Sequence, residues 1–193
     1  MDSKSILRAK VCLVGESAVG KTSLIRRCVL DQFSDEYIST FGTKVTKKQM
    51  VFDLPAKRRV NLMMTVWDIM GEKEIISVVK ESYFHGASGI LAVCDLTREE
   101  TLRALSRWMR AATKVVGTVP IMLAANKLDL IPPRSIKNLA AGLSVFAKEY
   151  GASEVLTSAK TGENVELAFK KLGADIISNL LEQMTERAAV TRF

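Results

Sequence analysis

The chain has few of the residues that build metal clusters or disulfide frameworks. Among 193 residues there are three cysteines and one histidine. Cys12, Cys28 and Cys94 fall in a predicted strand, a predicted helix and a second predicted strand, and none has metal-ligand spacing. They read as buried, reduced thiols of a cytosolic protein. His85 follows the aromatic pair Tyr83-Phe84 and reads as structural rather than catalytic. No run approaches the ~18 apolar residues of a membrane span. No charged-then-apolar leader opens the sequence, and glycine is not second, as myristoylation requires. The final stretch Val190-Thr191-Arg192-Phe193 offers no cysteine to a prenyl group. The expectation is a cytoplasmic protein, peripheral at a membrane surface only indirectly or through an anchor missing from this sequence. Internal repeats and low-complexity segments are absent too.

What is present suits one domain with one apolar core: hydrophobic residues make up 48% of the chain. Lysine and arginine outnumber aspartate and glutamate 28 to 21, a net charge of +7. These cations are dispersed, with the tightest cluster at Lys57-Arg58-Arg59. Dispersal favours a solvated basic surface around an anionic ligand over a nucleic-acid face, so no nucleic-acid partner is expected.

Apolar runs alternate with amphipathic stretches, which argues an α/β domain with a mainly parallel sheet. Thr43 to Asp53 and Arg59 to Asp68 flank so short a connection that only a hairpin fits, so one edge strand is antiparallel. Gly71 to Phe84 reads as a loop leading into a helix. Gly89 to Cys94, Pro120 to Ala125 and Glu154 to Leu156 read as strands. Glu99 to Val116, Ser135 to Tyr150 and Asn164 to Glu186 read as helices. The last should turn Val165, Leu167, Ala168, Leu172, Ile176 and Leu180 to the core. The expected fold is a three-layer sandwich of about six strands and about five helices. Ligands of such sheets bind at the carboxyl ends of the strands.

One stretch organises the rest. Gly15-Glu16-Ser17-Ala18-Val19-Gly20-Lys21-Thr22 fits G-x-x-x-x-G-K-[ST], between an apolar run ending at Val14 and a helical pattern through Ser23, Leu24, Ile25, Cys28 and Val29. Glycines let the backbone curl and turn successive N–H groups inward on an anion, and a helix start adds its dipole. Lys21 brings a full charge to the outer phosphates, and Thr22 places a hydroxyl where Mg²⁺ would sit. A chance match in a glycine-containing turn is the alternative, and the strand before and helix after argue against it.

Asp68-Ile69-Met70-Gly71 follows a strand end, so Asp68 can hold Mg²⁺ directly or through water, and Gly71 lets its N–H approach a terminal phosphate. Asn126-Lys127-Leu128-Asp129 follows another strand. A carboxylate accepts two parallel hydrogen bonds, and guanine offers two donors on one edge where adenine does not. An adenine would leave a buried Asp129 unpaired. Asn126 can bridge base and phosphate loop, and the Lys127 stem can cover the base. In Thr157-Ser158-Ala159-Lys160, small residues would let the Ala159 N–H reach a guanine keto oxygen. Each motif alone could be an ordinary polar turn.

Together, in this order, they resemble a Ras-superfamily small GTPase, most like the Rab family, over about residues 6 to 183. The Rab flavour rests on Tyr37-Ile38-Ser39-Thr40-Phe41-Gly42, on Trp67-Asp68 and on Ser82-Tyr83-Phe84-His85-Gly86-Ala87. The resemblance implies a GTPase domain over 6–183 with a tail at 184–193, GTP or GDP as bound nucleotide, and Mg²⁺ as cofactor. It implies that Thr40 ligates the metal with Thr22 and Asp68, that Phe33 packs on the base beside Tyr37, and that Gly71 senses the terminal phosphate. Ser17 to Ser23, Asn126, Lys127, Asp129 and Ser158 to Lys160 complete the nucleotide contacts. It implies effector, exchange-factor and GTPase-activating partners at Thr40–Trp67 and Glu72–Tyr83.

The chain also departs from the family pattern. Glu72 stands where Ras-like proteins carry a glutamine that orients the attacking water. Catalysis is thus assigned to Lys21, Gly71 and Glu72, with intrinsic hydrolysis expected to be slow. A pseudo-GTPase docking module is the alternative. Val45 replaces an effector-facing phenylalanine, and the stretch with Glu74, Ile75, Ile76, Val78 and Val79 lacks the usual Arg-Phe pattern.

Overall fold

In a computed structural model of the chain, residues 6–30, 43–55, 58–69 and 82–190 are described. Strand β1 (Ile6–Val14) sends Ala9, Val11 and Leu13 to one face and Cys12 and Val14 to the other, so two cores share it. β4 (Gly89–Asp95) is buried at every position, as its unbroken apolar run requires of a central parallel strand. With β2 (Thr43–Leu54), β3 (Arg58–Ile69), β5 (Ile121–Asn126) and β6 (Ser153–Leu156) they form a six-stranded sheet ordered β2-β3-β1-β4-β5-β6. Every neighbouring pair is parallel except β2–β3, an antiparallel ladder from Thr43 opposite Ile69 to Leu54 opposite Arg58. The expected α/β sandwich with one antiparallel edge strand is therefore the observed one.

Four long helices cover the two faces among the described residues: α1 (Lys21–Leu30), α2 (Glu99–Val116), α3 (Pro133–Glu149) and α4 (Val165–Val190). A further helical turn occupies 82–84. α2 buries Thr101, Leu105, Trp108, Met109 and Ala112, one stripe at helical spacing, against the Cys12 face. Glu99 and Glu100 sit at its positive end and Lys114 at its negative end. α1 and α4 cover the opposite face. There α4 presses Gly173 against the hairpin: a Cβ built on it would lie 2.6 Å from Phe52 Cζ and 2.9 Å from Met64 Cε.

Three sequence expectations change. Leu167 does not face the core: it is 42% exposed, and Phe169, 1% exposed, takes a core place instead. One residue off the stripe is enough to turn a side chain about 100° around a helix. Cys28 is only partly buried, whereas Cys12 and Cys94 are fully inside. Apart from α2, strands and helices begin or end one to four residues from their sequence boundaries, and α4 continues through residue 183 to Val190.

No helix among the described residues is long and apolar enough to cross a membrane.

Candidate functional site

β1 and β4 lie side by side where the strand order changes direction, and the loop after β1 opens into that crevice. Its backbone is unusual in the way an anion nest demands. Gly15 has φ +143°, Ala18 φ 61° and Gly20 φ 99°. A Cβ on Gly15 would stand 2.2 Å from the Val93 carbonyl oxygen, and one on Gly20 2.2 Å from Asn126 Nδ2. Both glycines are thus required twice, by conformation and by space. Val19, fully buried, anchors the loop in the core. α1 starts at Lys21, with its first ring closed by Leu24 N–H on Gly20 O at 2.9 Å. A helix start presents its first N–H groups and its positive dipole end to an anion.

Lys21 is 7% exposed, and its ammonium donates to Gly15 O at 2.9 Å and Glu16 O at 2.8 Å. Burial pulls it down to about 8, against the opposing pull of Asp68 and Glu16. Phosphate oxygens would add countercharge beside this buried ammonium.

Asp68, 1% exposed at the end of β3, accepts from the Thr22 hydroxyl at 2.5 Å through Oδ2. Its Oδ1 is buried with no hydrogen-bond partner among the described residues. Burial raises its pKa, with the Thr22 bond and then Lys21, Lys44 and Arg26 pulling the other way. An orphaned carboxylate oxygen beside a threonine hydroxyl is the donor set of a hard cation, so these two residues fit Mg²⁺. A cleft runs from them between α1 and β2, past Ile25, Arg26, Val29, Lys44 and Thr46.

The base-side motif is tied to the phosphate loop. Asn126 Nδ2 donates to Val19 O at 2.9 Å, and its Oδ1 accepts from the Ala159 N–H at 3.0 Å. That N–H, expected to serve a guanine oxygen, is thus held by Asn126 in this structure. Lys127 adopts a left-handed conformation, φ 69°, ψ 36°, and starts the 3-10 turn Leu128–Leu130 that carries Asp129. Asp129 Oδ1 accepts from the Ser158 hydroxyl at 2.5 Å. The motif predicts a buried Asp129, yet this residue is exposed. It is therefore open to a ligand arriving from solvent. Arg27 on α1 reaches across to the carbonyls of Ala159 (3.0 Å) and Lys160 (2.6 Å).

A third acidic residue escaped the sequence reading. Asp95, 2% exposed at the end of β4, accepts from Thr97 N–H (2.9 Å) and hydroxyl (2.6 Å) through Oδ1. Its Oδ2 meets Arg98 Nε at 2.9 Å and Lys127 Nζ at 2.6 Å. Burial would raise its pKa, but the bonds from Lys127, Thr97 and Arg98 outweigh it and hold the carboxyl below its ordinary value. Arg98 Nη2 continues to Ser17 O at 3.1 Å, and Arg107 pairs with Glu16 at 3.0 Å. The signal was available: Asp-x-Thr after a buried strand is an Asx turn.

The structure therefore brings Ser17, Ala18, Val19, Gly20, Lys21, Thr22 and Ser23 to one side of a crevice, with Asp68 beside them. Asn126, Lys127, Asp129, Ser158, Ala159 and Lys160 line the other side. Phe33, Tyr37, Thr40, Gly71 and Glu72, with Glu74 to Val79, lie outside the described residues. Of the expected partner surface, Val45 is 48% exposed and Trp67 half-buried under Lys10, whose Nζ sits 4.0 Å from the ring centroid. Tyr83 is not available: it is buried, and its hydroxyl lies within donating distance of two carbonyl oxygens, Trp67 O at 2.5 Å and Leu13 O at 3.0 Å, which share its one hydrogen.

Comparison with known proteins places this geometry. The model of the Ras family matches residues 10–178. The chain is 34% identical over 169 residues to Ras-related protein Rab-13 of Canis lupus familiaris, covering 87% of this chain and 79% of that protein. Ras-related protein Rab-25 of Bos taurus is 32% identical over 180 residues, 93% of this chain and 81% of its own. Ras-related protein Rab-8 of Diplobatis ommata is 33% identical over 180 residues, 93% and 82%.

Proposed function

Because the chain belongs to the Ras family and is a Rab-like small GTPase, we propose that it binds GTP with Mg²⁺, hydrolyses it to GDP, and switches effector binding between the two states, in membrane trafficking. The observation that carries this reading is the join between phosphate loop and base motif, Asn126 Nδ2 on Val19 O. It sets a phosphate cradle and a two-acceptor carboxylate at a fixed separation. Lys21 and the loop N–H groups neutralise the phosphates. Asp129 takes the imino and amino hydrogens of guanine, and the Lys127 stem lies along the base. Mg²⁺, when bound, screens the charge that gathers on the terminal phosphates. Thr22 and Asp68 hold it, joined by Thr40. Effector, exchange-factor and activating proteins read the surface around Val45 and Trp67 and the segment after Gly71, and any membrane attachment is indirect or through an anchor missing from this sequence.

Isothermal calorimetry in Mg²⁺ tests the reading. GTP and GDP should bind, and ATP should bind at least about a hundredfold more weakly, because an unpaired carboxylate and a lost pair of donors weigh against adenine. Equal affinity for ATP, or no binding of any of the three, would overturn it.

Glu72 favours a second reading, a GTP-binding docking module with impaired hydrolysis. A carboxylate can accept a proton from water but cannot donate an N–H to the transferring phosphoryl group, and its charge faces developing negative charge. Single-turnover hydrolysis should be slow in the wild type and faster in Glu72→Gln. A slower Gln variant would instead make Glu72 a useful base.

A further inference from the structure

We propose that Asp95 is a positioning residue: its single buried carboxylate clamps Lys127 on the base side to Arg98 on the phosphate side, so that the two halves of the crevice hold nucleotide as one unit. The inference rests on the guanine-nucleotide reading above and assigns a residue outside the motifs that support it.

The geometry has three parts. Oδ2 of Asp95 receives two cations, Lys127 Nζ at 2.6 Å and Arg98 Nε at 2.9 Å. Lys127 and Arg98 side chains are 31% and 38% exposed, so the contacts are only partly screened by water. Arg98 then spends a second donor on Ser17 O, inside the phosphate loop, at 3.1 Å. The loop after β4 is itself fixed, by Leu96 N–H on Asn126 O and by Thr97 on Asp95 Oδ1.

A purely local role is the competing account. Oδ1 closes an Asx turn with Thr97, and the Asp95 N–H donates to Thr101 Oγ1 at 2.9 Å at the start of α2. Asparagine can supply the same turn acceptor, but not the charge. Asp95→Asn therefore separates the two roles. It leaves the turn and removes the anion, so two cations converge on a neutral amide.

The test is dissociation of a fluorescent GDP from the full chain in Mg²⁺, chased with excess GDP. Asp95→Asn should release nucleotide about tenfold faster or more, the loss expected of one charge-assisted hydrogen bond. Arg98→Gln should accelerate release by a smaller factor. In a Lys127→Met background the effect of Asp95→Asn should shrink, because part of its action runs through that lysine. A release rate within about twofold of wild type, or an undiminished effect in the Lys127→Met background, overturns the proposal. If Asp95→Asn shows no cooperative thermal transition, Arg98→Gln decides: an unchanged rate there also overturns it. A wild-type chain that retains no guanine nucleotide at all would instead sink the reading beneath it.

Discussion

A Cβ built on Gly20 falls 2.2 Å from Asn126 Nδ2, on a residue whose φ is +99°. Gly20→Ala must therefore push Asn126 off Val19 or distort the loop, and either loosens the base side from the phosphate side. Titration with fluorescent GDP should show affinity lower by about tenfold or more, with a thermal midpoint only slightly reduced. Lys21 yields a pH prediction. Folded and unliganded, its ammonium titrates at about 8 rather than the ordinary 10.5. Between those values the unfolded chain keeps a proton that the folded chain has lost, so this group's share of stability rises with pH across that window. Bound phosphates favour the ammonium and reverse the shift. Nucleotide binding near pH ~8 should thus take up a proton, seen as a buffer-dependent enthalpy in calorimetry. Lys21→Met should abolish the uptake. These residues were legible because their chemistry is local: glycine, lysine and threonine at fixed spacing. Asp95 was not, because its cations come from two other loops and only their convergence distinguishes it from any strand-end acid.

At the scale of elements, α4 lies close to the hairpin because Gly173 leaves room for Phe52 and Met64. Gly173→Ala gains about 0.5–1 kcal/mol of helix propensity. Against this stands overpacking at 2.6 Å, worth about 1–3 kcal/mol. Met64 Cε can move, but the Phe52 ring has less freedom, so a net loss is expected. Denaturant melts should place the variant less stable by about 1 kcal/mol, with GDP affinity little changed when measured below the transition. The elements themselves were largely readable. The hairpin followed from a connection too short for any crossover, and α2 matches its predicted bounds because its stripe and flanking charges agree. Leu167 misled because the pattern counts it as apolar without regard to its angle: it stands two residues past Val165, about 200° round the helix, off the stripe that Val165, Ala168, Phe169 and Leu172 form.

For the whole molecule, the order β2-β3-β1-β4-β5-β6 brings four loops from distant parts of the chain to one edge. A ligand that bridges those loops stabilises the fold as a unit. At a hundredfold excess over its dissociation constant, GDP should add about 2.7 kcal/mol to unfolding, read as a raised midpoint. Chelating Mg²⁺ with EDTA should speed GDP release in the wild type. Asp68→Ala, which removes the orphaned oxygen, should release GDP quickly with or without chelator. By itself the sequence determined the strand–loop–helix of the phosphate loop and the alternation of strands and helices, and it supplied the Asn126-Lys127-Leu128-Asp129 motif on which the proposed preference for guanine rests, since each depends on residue types at short spacing. Only the tertiary structure decided that Ala159 N–H is held by Asn126, that Asp129 stands exposed, and that Asp95 joins Lys127 to Arg98. Those facts depend on distances between segments far apart in the chain, which packing sets and local pattern does not encode.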